Sequence, residues 1–177
     1  MPERFLSSDD YDENAHQLYN EGRLDEALAL LKEGLQLYPN TVELHVGMAY
    51  AYLAREEYAW ARRSFEKSLT LDPDHEDTLA GYGEVLLKLG ERQAALAAFD
   101  HILSLKLQDD HDLMLQVGRA LFREGLLAAA KSFFEYAVSA QAECPEAAAC
   151  VGYACHRLND EGGALFWLRR ALRLDPQ

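Results

Sequence analysis

Four residues late in the chain are of the types that hold metal ions: Cys144, Cys150, Cys155 and His156. Thiolates and an imidazole together would suit zinc, but such sites draw their ligands from closely spaced pairs that are missing here. Five residues along a helix turn through about 500°, so Cys150 and Cys155 would point roughly 140° apart. The remaining histidines are scattered. The acidic pairs Asp9–Asp10 and Asp109–Asp110 suit solvated turns and helix starts, where carboxylates meet the positive end of the helix dipole. No P-loop, GxGxxG, HExxH or GxSxG motif occurs, and "GYG" at 81–83 is a fragment within a helical pattern. The sequence therefore predicts no catalytic residue, no metal and no cofactor. The chemistry left to it is that of a binding surface.

The elements that position such a surface follow from the composition. The chain has 177 residues, 49% of them hydrophobic, enough for a sizeable core. Its formal net charge is −13, which argues against nucleic acid or an anionic membrane as the main partner. The charge is uneven. Residues 1–88 hold 18 Asp/Glu against 8 Lys/Arg, a net of −10, and residues 89–177 hold 12 against 9, a net of −3. The opening "MPERFLSSDD" lacks the apolar core of a signal peptide, and no apolar run is long enough to span a membrane. With three cysteines, an odd count, the expected location is the reducing cytoplasm.

An internal repeat organises the chain. Ala27, Ala61, Ala95, Ala130 and Ala164 recur at steps of 34, 34, 35 and 34. Leu31, Phe65, Phe99, Phe134 and Leu168 follow each alanine by four residues, and Ala15, Ala49, Gly83, Gly118 and Gly152 precede each by twelve. Pro39, Pro73 and Pro176 close three of the units. Apolar residues recur at three-to-four spacing within each unit, as in "ALALLKEGLQL" at 27–37, the mark of an amphipathic helix. Small residues on paired helices let the axes approach to about 8 Å. Proline, which lacks an N–H, ends the second helix.

This pattern resembles the tetratricopeptide repeat, a 34-residue helix–turn–helix carrying Leu-Gly, Tyr, Ala, Phe and a closing Pro. Its best match is "MAYAYLAREEYAWARRSFEKSLTLDP" at 48–73. The resemblance implies an all-α solenoid, a right-handed superhelix of five units and about ten antiparallel helices. One domain is expected, with repeats at 8–41, 42–75, 76–110, 111–144 and 145–177. Leu107 stands where Pro is usual, and one extra residue falls near Asp109–Asp110. Gly22, Gly90 and Gly125 hold the turn between helices, while Glu56 and Asn159 hold it in repeats two and five. His45 occupies a place where the family often has Trp, and Cys155 the place of its buried Tyr.

In this family the first helix of each repeat lines a concave groove. Carried over position by position, the resemblance assigns to it Tyr19, Val46, Tyr50, Leu53, Leu87, Lys88, Leu115, Arg119, Phe122, Arg123, Tyr153 and Arg157. The middle is apolar and aromatic, an interaction surface. The last two repeats are basic, so a peptide or helix would lie with its acidic end over them. Places equivalent to the family's carboxylate clamp hold Asp12, His16, Gly47, Asp77 and Gly81, which cannot grip a terminal carboxylate. Recognition of chaperone tails is therefore not expected.

The function expected is a non-enzymatic protein-interaction module that presents this groove to a partner, as scaffold, adaptor or assembly factor. Two alternatives stay open: a secretion-type chaperone of the same family holding an exported client, and a self-assembling structural protein. Phe166 and Trp167 add two aromatics to the fifth second helix. They mark a possible second interface, most simply with another copy of the chain.

Overall fold

The computed structural model describes residues 6–176, and among them it has helices and turns but no strand. The helices are α1 (Ser8–Asn20), α2 (Leu24–Leu37), α3 (Val42–Ala54), α4 (Tyr58–Leu71), α5 (Glu76–Lys88), α6 (Arg92–Ser104), α7 (His111–Arg123), α8 (Leu127–Ala140), α9 (Pro145–Arg157) and α10 (Glu161–Leu174). They form two compact units, divided between Leu89 and Gly90 within the third repeat. The first holds α1–α5 and the second α6–α10.

Local chemistry starts and stops these helices. Ser7 and Asp10 make a reciprocal capping box at α1, satisfying two backbone donors that the first turn leaves open. The Asp110 carboxylate accepts from the Leu113 N–H at 3.0 Å and the Asp160 carboxylate from the Gly163 N–H at 2.9 Å. Cys144 caps α9 through its sulfur. Each turn between paired helices carries one left-handed residue: Gly22, Glu56, Gly90, Gly125 or Asn159, with φ between 61° and 79°. A side chain is strained there, and Glu56 holds the position despite it. The extra residue of the third repeat is absorbed by a six-residue connector, 105–110, where 38–41, 72–75 and 141–144 have four. Its slack is taken at Lys106, a further left-handed residue with φ 61°.

Within the first unit, Ala27, Ala49 and Ala61 are fully buried, with Ala15 close to it. Around them pack two clusters, one of Tyr11, Ala15, Leu31 and Leu44, the other including Leu28, Tyr52, Phe65 and Val85. Large residues seat on thin places of the next helix. A Cβ added at Gly47 would lie 3.3 Å from Leu31, and one added at Gly81 only 2.3 Å from the tip of the Phe65 ring. Ser68 and Thr78, both fully buried, satisfy one another at 2.8 Å. In the second unit, Phe99 meets Phe133 edge-on at 6.1 Å. Phe134 presses on Gly118, and Leu168 on Gly152, where added Cβ atoms would lie 2.5 and 2.7 Å away.

His45, half-buried, bonds through Nε2 to the Pro39 carbonyl at 2.8 Å, and Cys155 is fully buried. Both hold the packing places expected of them.

Gly81→Ala is expected to lower stability by about 1–3 kcal/mol in urea unfolding, because the new methyl overlaps the Phe65 ring. Gly162→Ala, whose added Cβ meets nothing nearer than 3.9 Å, is expected to raise it by about 0.5–1 kcal/mol through helix propensity. Equal effects from the two would contradict the packing described.

Candidate functional site

In the first unit, α1 packs on α3 and α3 on α5, so these first helices share a face. Tyr19, Val46, Tyr50 and Leu53 are all half-buried there, and Tyr19, Tyr50 and Leu53 pack on the Phe65 cluster. Tyr50 stands edge-on to Phe65, ring centroids 5.2 Å apart at 90°, and its hydroxyl donates to the Asp77 carbonyl at 2.8 Å. The face is acidic. Burial first, and then the charge of Glu43, push the Asp12 carboxyl above the ordinary carboxylate range. Burial and then Glu84 raise the Tyr19 phenol. Lys88 is exposed at the end of α5.

In the second unit, Arg119, Phe122 and Arg123 of α7 meet Cys150 and Tyr153 of α9 around a pocket of about 150 Å³. Its floor is the buried ring of Phe134, which lies 6.3 Å from Phe122. Arg119 is paired with Glu146 across the two helices. The Arg157 guanidinium lies 5.5 Å over the Phe122 ring, a cation–π arrangement. Tyr153 is 56% exposed at the rim. The Cys150 thiol, in the wall, has its pKa raised by burial, the nearby Arg119 opposing this. A raised thiol pKa disfavours the thiolate, the nucleophilic form.

Two of the twelve expected groove residues are buried. Leu87 and Leu115 are each only 4% exposed. They belong to the packed interior, as apolar side chains at the edge of a helix face do when neighbours cover them. Of the expected residues of repeats four and five that remain, Arg119, Phe122, Arg123 and Tyr153 line the pocket, and Arg157 lies over Phe122. Two wall residues escaped the sequence reading. Phe134 was legible only as a packing residue, and Cys150 occupies the place that Gly47 and Gly81 hold in earlier repeats.

Phe166 is 56% exposed on α10, and Leu165 and Leu172 are 52% and 62% exposed. Trp167 is half-buried, edge-on to Phe166 at 5.3 Å and covered by Arg170 at 5.4 Å. None of the helices is long and apolar enough to cross a membrane, among the described residues.

Sequence profiles of the tetratricopeptide repeat match residues 18–63, 53–117 and 115–177. Protein CTR9 homolog of Arabidopsis thaliana is 26% identical over 183 residues, which is 92% of this chain but only 17% of that protein's length. Among solved structures, the chain is similar to YrrB, described as a TPR protein with an unusual peptide-binding site. The identity is 26% and the TM-score 0.65, over 95% of this chain and 86% of that one. It is also similar to MamA from Desulfovibrio magneticus RS-1, with 23% identity and TM-score 0.73 over 96% and 95% of the two chains. PilW, a type IV pilus biogenesis factor, gives 19% and 0.80 over 96% and 78%. The last two likenesses establish the fold alone. With the repeat matched from residue 18 to the end, this chain belongs to the tetratricopeptide repeat family.

Proposed function

We propose that the chain is a non-enzymatic adaptor or assembly factor that binds a segment of a partner protein through its first-helix face. Tetratricopeptide repeats are protein-interaction modules, which gives the general class. The observation that carries the finer reading is the pocket on Phe134, with arginines at its rim in a chain whose net charge is −13. Local positive charge against a negative background favours an acidic ligand and orients it. Peptide binding by YrrB is a property of that protein, and here it lends plausibility to the same class of ligand. The secretion-type chaperone reading has no observation of its own in its favour.

A screen of peptide arrays tests this. Peptides that bind are expected to lose about tenfold or more in affinity with Phe122→Ala, since aromatic anchors in pockets carry most of such binding energy. They should also weaken as ionic strength rises. Binding that ignores Phe122→Ala but is lost with Trp60→Ala, on α4, would sink the groove assignment.

A second reading has its own observation. Leu165, Phe166 and Leu172 make an exposed apolar face on α10, and such faces mark contact surfaces. We propose that this face supports self-association. Light scattering across concentration is expected to show a mass above 20.0 kDa that falls to the monomer with Phe166→Glu. A wild-type monomer at every concentration would contradict it.

A further inference from the structure

The two units treat one equivalent place differently. Phe65 and Phe134 occupy the same position in repeats two and four, and both rings are buried. Above Phe65 the chain supplies its own ring: Tyr50 stands edge-on at 5.2 Å, with its hydroxyl on the Asp77 carbonyl. The backbone of Gly81 then closes the space so tightly that a Cβ there would lie 2.9 Å from Tyr50. In repeat four the equivalent of Tyr50 is Arg119, and the equivalent of Gly81 on the following helix is Cys150. Arg119 pairs with Glu146, which occupies the place of Asp77. An arginine drawn to a carboxylate does not cover an aromatic face as a tyrosine ring does. The space beside Phe134 is the pocket of about 150 Å³, and an apolar cavity of that size admits a benzene ring.

We propose that this pocket is a socket for one aromatic side chain of an acidic protein segment, which takes the place beside Phe134 that Tyr50 takes beside Phe65. This rests on the groove reading above and names what enters the groove. Two observations choose the occupant. Tyr50 in the first unit gives its shape and its edge-on geometry, an arrangement favoured between aromatic rings. Arg119 and Arg123, which line the pocket, with Arg157 over Phe122, give the charge of the residues flanking it. Carboxylates there would meet planar, multiply donating cations.

The test selects binders from a displayed random peptide library on the wild-type chain. The expected binders carry Phe or Tyr flanked by Asp or Glu, and replacing that ring by Ala weakens them about tenfold or more. Arg119→Tyr is expected to fill the socket from within. It should abolish selection and leave unfolding at least as resistant to urea, whereas Arg119→Gln, which removes the charge and leaves the space open, weakens binding only several-fold. Binders that lack an aromatic–acidic signature, or that bind Arg119→Tyr as well as Arg119→Gln, would overturn the socket while leaving a peptide-binding groove. A library that yields no binder at all would overturn the groove reading and the socket with it. If Arg119→Tyr does not fold, the ring-to-alanine change in the peptide decides alone.

Discussion

Everything in this fold depends on a large side chain of one helix seating against a residue of almost no size on a neighbouring one. Leu31 on Gly47, Phe65 on Gly81, Phe134 on Gly118 and Leu168 on Gly152 are four instances, with spacings that leave no room for a methyl group at the last three. Dense packing of this kind is intolerant of added volume. It also explains why the alanine and glycine positions recur so strictly, while the residues between them vary.

The same constraint creates the site. Where the chain keeps both thin residue and covering ring, as at Phe65, Gly81 and Tyr50, the space is closed. Where it places Arg119 and Cys150 instead, the ring of Phe134 floors a pocket. The pocket thus comes from a repeat departing from its own pattern at two positions. The departure also changes the electrostatics, because the residue that no longer covers the ring is a cation. An apolar floor and a charged rim in one place fit the anatomy of a recognition pocket, in which shape holds one side chain and charge selects its neighbours.

Much of this was legible in the sequence. The period of 34, the small-residue series and the five turn positions all have direct physical causes in packing and backbone geometry. Glu56 and Asn159 adopt the left-handed turn that their register required. Less legible was the degree to which a groove position is covered. Val46 and Leu115 share a place in the repeat, yet Val46 is half-buried and Leu115 fully packed. Such coverage depends on what adjacent helices set beside a residue, which a single repeat's pattern does not contain. The pocket itself was hidden for a similar reason. Its floor, Phe134, reads as core, and only comparison with the Tyr50–Phe65 pair reveals that Arg119 stands where the tyrosine would.

The pocket over Phe134 is proposed as the place where a partner binds. Chemical-shift mapping of the isotope-labelled chain, titrated with a peptide selected from the library, tests it most directly. The account predicts that the largest shifts fall on Phe122, Phe134, Cys150 and Tyr153, with Phe134 ring protons among them. Largest shifts on Tyr52 and Trp60, or along α10, with Phe134 unmoved, would contradict it.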